Sequence, residues 1–453
     1  MSKTKVLKSN TTDLTTGVIW KKLLLYFLPI AAGTLFQQLY NAVDAIVVGR
    51  FVGTEALAAV GGTPATLTQL IIGFFVALSG GAAVVIAQYC GAKEEARVSA
   101  AVSTSMIFCF IIGVLLAVAM FFAAPALLGI FNTPEDTMAG ATLYTRVFFS
   151  GSAFLLLFNM GSGILRSVGD SKRPFIYLMI SCLLNIILDL LFVIVFKMGV
   201  AGVAWATVIA QGISCVLIII KLITVKDYYR LPIRKMKFNF QILGKMMAIG
   251  IPSGVQSAMY GISNLILQAA VNTLGTVVVA SWAMSGKLDG VYWALASAFG
   301  VAVTTFVAQN YGAGKKDRIR ECAKIGMLIY GAGTIVMSGL LLLLARPLLH
   351  IFTTDTAVMD STWIVLIYIV PAYVIWSVIE MFSGVLRGMG DATRPTVIVA
   401  LGVCVLRIVW TYTMFRFVHT LPILCLSYPL SWFVTAILLL IYYKFRRKKL
   451  YQL

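Results

Sequence analysis

The stretch GILRSVGDSKRP at residues 163–174 recurs as GVLRGMGDATRP at residues 384–395, so that each position of the first plus 221 gives its partner in the second. At the same displacement AQYCGA, 87–92, returns as AQNYGA, 308–313, and Arg97 falls on Arg318. Phe131, Thr133 and Met138 fall in the same way on Phe352, Thr354 and Met359. Separated anchors sharing one offset mark an internal duplication, and a duplication decides the architecture before any single element is read.

What is duplicated follows from the solvent that the chain requires. Of 453 residues, 60% are hydrophobic and 12% charged, where a soluble domain carries about 25% charged residues. No water-soluble core needs that much apolar surface, so most of the chain sits in lipid. A spanning helix takes about 20 mainly apolar residues. By that rule twelve spans are expected, at 23–48, 57–88, 101–126, 141–165, 174–196, 199–224, 243–272, 276–310, 325–349, 361–386, 396–416 and 420–443. The expected fold is therefore all-α and integral to the membrane, with twelve transmembrane helices in two pseudo-symmetric six-helix lobes. The N-lobe covers 23–224 and the C-lobe 243–443, with a cytoplasmic tail at 1–22, a cytoplasmic linker at 225–242 and a basic tail at 444–453. An even number of spans per lobe gives both the same orientation, related by an axis along the membrane normal.

The formal charge of +19 has an orientational reading. Twenty-nine of the 36 Lys and Arg residues lie in the tails and on the side of the loops after spans 2, 4, 6, 8 and 10; the other seven are Arg50, Arg146, Lys197, Lys287, Arg346, Arg407 and Arg416. Positive residues collect on the cytoplasmic side, which places both termini in the cytoplasm of a multi-pass plasma-membrane protein. Basic loops facing anionic headgroups account for the charge, and no nucleic-acid partner is expected. Seven Cys and two His residues form no CxxC and no Cys/His cluster, so no zinc site, disulfide framework or cofactor is expected. The polar segment 1–22 carries no cleavable signal pattern.

In the repeated segments, Gly169-Asp170 and Gly390-Asp391 read as helix ends, with Pro174 and Pro395 opening the next spans. The reading is turn architecture, with a switchable ion pair as the alternative. More informative is what the duplication left unequal. Span 1 carries YNAVD, Tyr40 to Asp44, and span 5 carries NIILD, Asn185 to Asp189. In each, a hydrogen-bonding residue precedes an aspartate by four positions and shares its helix face. Shifted by 221–223 positions, the two acids land on Leu265–Leu267 and on Trp410, Thr411 and Tyr412. The second lobe has no acid at either place.

Asp189 and Thr207 of span 6 both fall about 11 Å below the outer face, so Tyr40, Asp44, Asn185, Asp189 and Thr207 are able to meet. An acid inside a span costs about 2.5–3.5 kcal/mol on insertion scales and is a functional candidate by default. Two neighbouring carboxyls favour holding a proton, and the same oxygens are hard ligands that suit Na⁺. The coupling ion is therefore H⁺ or Na⁺, the latter at Asp44 and Asp189. Glu380 in span 10 aligns with Asn159 and, with Asp289 and Lys287 of span 8, forms a candidate second acidic site. Pro29 and Gly33 are candidate hinge residues in span 1.

These residues resemble the multidrug and toxic compound extrusion (MATE) family: twelve spans in two lobes, paired LRxxGDxxRP segments, and AQ–GA segments after spans 2 and 8, over about residues 15–445. The aspartates of spans 1 and 5 are similar to those of its DinF-type branch. The resemblance implies a secondary antiporter, working as a monomer, that expels small cationic or amphiphilic organic compounds while H⁺ or Na⁺ enters, by rocking of one lobe against the other. It implies an ion-linked cluster at Tyr40, Asp44, Asn185, Asp189 and Thr207. The NorM-type branch relies instead on acids in spans 7 and 10, of which only Glu380 is present here. Among rivals, a flippase for a lipid-linked precursor would need a basic cleft, and spans 1, 2, 7 and 8 offer little beyond Lys287. An intramembrane enzyme would need a nucleophile–base pair or metal cluster, and none is evident.

Overall fold

In the computed structural model residues 12–452 are described; residues 1–11, half of the expected N-terminal tail, and residue 453 lie outside the described part. The chain forms twelve spans. In the first half these are α1 (Ile19–Phe51), α2 (Thr63–Gly91, after a short outer helix Thr54–Gly61), α3 (Glu95–Ile130), α4 (Glu135–Ser150 and Ser152–Ser167), α5 (Lys172–Leu190, then a π turn Leu191–Val195) and α6 (Gly199–Thr224). In the second half they are α7 (Phe240–Asn272), α8 (Thr276–Gly312), α9 (Lys316–Phe352), α10 (Thr356–Ile369 and Tyr373–Gly388 around a 3₁₀ turn Val370–Ala372), α11 (393–417, with a π turn Ala400–Val405) and α12 (Leu421–Gln452).

Ten of these are long and apolar enough to cross a bilayer by length and composition, and α4, bent by 47° at Gly151, is an eleventh. The twelfth, α7, is diluted by Ser253, Gln256 and Ser257, which line a central cleft. The break in α4 and the 3₁₀ turn in α10 fall at corresponding places, since the repeat offset carries Gly151 onto Ala372. Beyond residue 443 the last helix continues without interruption, and Arg446 there approaches Asp391 at 3.4 Å.

The repeated motifs do two jobs. Each GD pair ends its helix as expected: Gly169 and Gly390 adopt φ of 90° and 84°, and the Asp170 and Asp391 amides close back on Leu165 O and Leu386 O at 2.9 and 3.0 Å. Asp170 then accepts the Arg173 amide at 3.1 Å and its guanidinium at 2.6 Å. These ion pairs stay within one lobe. The AQ–GA segments reach across to the other lobe. Gln88 of the N-lobe donates to Gly388 O at 2.9 Å, and its repeat partner Gln309 donates to Ser167 O, the partner of Gly388, at 2.6 Å. A Cβ on Gly91 would lie 1.9 Å from Gln309 O, and one on Gly312 would lie 1.9 Å from Gln88 O. Only glycine lets α2 and α8 approach this closely, and the result is a two-fold seal at the cytoplasmic end of the cleft.

One feature of the seal has no symmetric partner. Residues 12–17 lie across it as a strap. Thr12 N–H reaches Gly169 O of the N-lobe at 3.3 Å. On the C-lobe side, Leu14 N–H reaches Gln309 Oε1, Asn310 reaches Leu14 O, Lys315 reaches Thr15 O and Arg318 reaches Gly17 O, at 2.7–3.3 Å. The Leu14 side chain is fully buried.

Candidate functional site

The five residues singled out in spans 1, 5 and 6 come together. Tyr40 and Asp44 follow one another on α1, Asn185 and Asp189 on α5, and Thr207 enters from α6. Asn185, Asp189 and Thr207 are buried, and Tyr40 and Asp44 are half-buried. The Tyr40 hydroxyl lies near Asp44 and Thr207, and the Asp44 and Asp189 carboxyls lie close enough to interact with one another. Two carboxyls placed this near one another disfavour both being ionised. Asp189 itself is 0% exposed, and its Oδ1 has no donor among the described residues, a costly state for an ionised oxygen.

The Asn185 amide finds partners at both ends in one of its two possible orientations. With its nitrogen toward Asp44 it donates to Oδ1 at 2.9 Å, and its oxygen accepts the Thr207 amide at 3.3 Å. Turned over, its nitrogen faces Thr207 Oγ1 at 3.4 Å and its oxygen faces the Asp44 carboxylate. The first gives both ends of the amide a partner without an ion. The second leaves two oxygens opposed.

The sequence reading missed Tyr144. It stands on the outer arm of α4, within electrostatic range of both aspartates, and packs against the buried Val47, Val48 and Val203. The signal was available: the repeat offset carries Tyr144 onto Val365, the same asymmetry that exposed the acids.

Below the cluster, toward the cytoplasm, runs a cavity of about 150 Å³ inside the N-lobe, reaching from Tyr40, Asn185 and Thr207 to Arg166. Pro29 and Gly33 both line it. Pro29 lies inside an otherwise continuous α1, where it removes one backbone hydrogen bond. Gly33 presses on Leu178 and Phe175 of α5, so a Cβ there would sit 3.4 Å from Leu178 Cδ2.

A second, larger space of about 460 Å³ lies between the lobes. Its walls carry repeat partners in register: Gly80 and Val301, Asn159 and Glu380, Arg166 and Arg387. Asn159 and Arg166 line both spaces, so one stretch of α4 separates the acid cavity from the central cleft.

Glu380, Asp289 and Lys287 do not form one site. Glu380 lines the cleft. Asp289 accepts the Tyr373 hydroxyl at 2.9 Å, two turns outward on α10. Lys287 is exposed and lies 5.8 Å from the Phe352 ring near the outer end of α9. Residues two apart on a helix diverge by more than half a turn, which separates Lys287 from Asp289. Among the described residues no group of three or more His, Cys, Asp or Glu side chains is arranged to hold a metal ion.

The MatE family model matches residues 29–191 and again residues 252–413. The chain belongs to the multidrug and toxic compound extrusion family. The two matched segments begin at Pro29 and Pro252, so the family's own unit coincides with the internal repeat. Among MATE relatives, the probable multidrug resistance protein YoeA of Bacillus subtilis is 27% identical over 444 residues, covering 95% of either chain. The multidrug export protein MepA of Staphylococcus aureus is 22% identical over 383 residues, 84% of either chain. A MATE transporter solved in an outward-facing conformation superimposes with a TM-score of 0.90 at 23% identity, over 98% of this chain and 100% of that one. The MATE fold, twelve helices in two lobes, is that of a multi-pass membrane transporter.

Proposed function

We propose that the protein is a secondary antiporter that exports cationic or amphiphilic organic compounds from the cell in exchange for inward H⁺ or Na⁺, by rocking of its two lobes. The observation that supports this best is the buried acid pair. Asp44 and Asp189 meet inside a lobe that spans lipid, at one end of a cavity that shares a wall with the central cleft. Intramembrane carboxyls default to proton or ion pathways. The relatives above, named for multidrug resistance and multidrug export, support the substrate class, and the acids of spans 1 and 5 support the DinF-type branch.

In the proposed cycle, the seal at Gln88 and Gln309 opens when the cluster is empty of its ion, and the compound enters the cleft from the cytoplasm. With the seal closed, an ion arriving from outside neutralises Asp44 and Asp189, and α1 yields at Pro29 and Gly33. Movement of α1 narrows the N-lobe cavity and, through Asn159 and Arg166, the cleft beside it. A ligand shifts an equilibrium only by its differential affinity for the two states; here the differential is the charge on the acid pair.

The Asn185 amide distinguishes the two ions. A proton on the pair leaves its nitrogen toward Asp44. Sodium turns its oxygen inward, to join Asp44, Tyr40 and Thr207 as a ligand. The nearness of the two carboxyls, which disfavours ionising both, favours H⁺ as the coupling ion. The test is efflux from proteoliposomes with the pH and Na⁺ gradients imposed separately. Transport driven by the pH gradient alone is expected, and transport that ignores both gradients sinks the antiport reading.

The flippase reading keeps one supporting observation. Lys287 faces away from the cleft, but Arg166 and Arg387, from spans 4 and 10, line it.

A further inference from the structure

The inner end of the central cleft carries two guanidinium groups without salt-bridge partners. Arg166 and Arg387 occupy the same place in the two lobes and line the same space. The carboxylates of the adjoining turns are already engaged: Asp170 with Arg173 at 2.6 Å, and Asp391 with Arg446, Arg394 and the Tyr442 hydroxyl. Among the described residues no salt bridge or side-chain hydrogen bond satisfies either Arg166 or Arg387. Both stand in the last turn of their helices, where a cation is favoured by the helix dipole. That effect explains a basic residue there. It does not explain why both side chains line the cleft while the arginines after the turn, Arg173 and Arg394, pair with aspartates.

The opposite charge lies further out. Glu380 precedes Arg387 by seven positions, two turns along the same face of α10, or about 10 Å toward the outside. Its carboxyl rests over Gly300, where a Cβ would come within 1.9 Å of Oε1. The remaining polar lining, such as Ser253, Ser257 and Thr304, is neutral. A simple lipophilic cation therefore finds one acid and two bases along the cleft. A molecule with an acid at one end and an amine at the other finds a partner for each.

We propose that Arg166 and Arg387 form an anion subsite, and that the compounds carried are zwitterionic amphiphiles. Their carboxylate or phosphate lies between the two arginines and their amine lies at Glu380. This names the substrate class for the export reading and rests on it. Guanidinium groups suit carboxylate and phosphate because their planar donors pair with two oxygens at once. A cleft of about 460 Å³ is of the size that takes one drug-like molecule. Because Arg166 also lines the cavity whose other end is the acid cluster, a ligand held by it borders that cavity, which links occupancy of one space to the other.

The test uses a matched pair of dyes, rhodamine 110, a zwitterion with a free carboxylate, and rhodamine 123, its methyl ester. Binding of each to the full chain in phosphatidylcholine nanodiscs, without gradients, is followed by fluorescence anisotropy. The acid is expected to bind about 10-fold tighter than the ester. Arg166→Gln and Arg387→Gln should each remove that preference while leaving the ester's affinity unchanged or improved, and Arg387→Lys should keep part of it. A purely structural role for the arginines would instead weaken both dyes together. Should the glutamine variants aggregate, benzoate competition on the unaltered protein decides: it should displace the acid and not the ester. Nanodiscs of phosphatidylglycerol that displace only the acid would support the subsite with lipid phosphate as its occupant. Equal affinities, a preference for the ester, or no saturable binding of the acid overturns the subsite. Failure of either dye to move under a pH or Na⁺ gradient, with the binding preference intact, sinks the antiport reading and leaves the subsite standing.

Discussion

The acid cluster of the N-lobe has a counterpart position in the C-lobe, and the two are opposite in chemistry. The residue 222 positions after Asn185 is Arg407, after Asp189 it is Thr411, and after Ala206 and Ala210 it is Tyr428 and Trp432. Asp44 corresponds, 223 positions on, to the buried Leu267. Where the N-lobe keeps a cavity, the C-lobe stacks rings: Trp432 lies 5.4 Å from Tyr428 and 5.5 Å from Trp376. Arg407, 4% exposed, lies flat on Tyr428 with its guanidinium carbon 3.9 Å from the ring centroid. Two small side chains on α6 leave room for the cavity, and two large ones on α12 fill the matching space beside Arg407. On the proposed reading, the duplicated scaffold kept one working lobe and made the other a packed bearing for it.

The strongest way to break this comparison is to neutralise the N-lobe and its counterpart in turn. Asp189→Asn is expected to reduce gradient-driven efflux in proteoliposomes by about 100-fold, the upper range of site-to-site coupling. Thr411→Val, at the matching place, should leave efflux within about two-fold of the parent, since that hydroxyl serves only the Arg407 carbonyl at 2.9 Å. Equal losses in the two variants would show that both lobes carry the ion.

Where the lobes are alike, paired substitutions should behave alike. Gly91→Ala and Gly312→Ala each place a Cβ 1.9 Å from a backbone oxygen of the other lobe, an overpacking that costs about 1–3 kcal/mol. Both should open the cytoplasmic seal. A single cysteine at Ser257, in an otherwise cysteine-free chain, should then react faster with a membrane-impermeant maleimide from the cytoplasmic side. If only one of the two variants reacts faster, the seal is not two-fold.

A smaller effect sharpens the same point. Gln88→Ala and Gln309→Ala each remove one hydrogen bond across the lobes, worth about 1 kcal/mol. Gln309 also accepts the Leu14 amide from the strap, whereas Gln88 has no such partner in the strap. Gln309→Ala should therefore raise the same maleimide reactivity more than Gln88→Ala. Identical rates would mean that the strap adds nothing to closure.

The number of spans, the two lobes and the acid cluster were legible in the sequence because each rests on spacing. The constant repeat offset, the long apolar runs and the separation by four positions within YNAVD and NIILD are geometric facts of the chain. Three things were not legible, for one reason: they depend on which helices meet. The pairing of Gln88 with Gly388 joins residues 300 positions apart, and the AQ–GA repeat announces its importance without its partner. The strap has no repeat and little apolar character. Arg166 and Arg387 stand inside a motif whose capping role accounts for it without them. That Asp289 and Lys287, two apart on span 8, point to different sides of one helix was legible from spacing; that each lies away from Glu380 was not.

The smallest expected effect is the most discriminating for the idea of a bearing. Arg407 is buried with its Nε lacking a partner among the described residues, and a buried cation without a carboxylate is a weak source of stability. Arg407→Met keeps the length of the side chain and its contact with the Tyr428 ring while removing the charge. Volume-conserving swaps in a packed interior cost less than about 1.5 kcal/mol, and the relief of an undonated guanidinium nitrogen offsets part of that. Thermal unfolding in detergent should therefore shift by no more than a few degrees in either direction, and efflux should persist. Arg407→Ala, which leaves a void among the rings, should lower stability by about 2–5 kcal/mol and still leave the coupling ion unchanged. If Arg407→Met keeps its stability but loses transport, the C-lobe charge takes part in the cycle. The two lobes would then be an acid and a base acting together rather than a motor and its support.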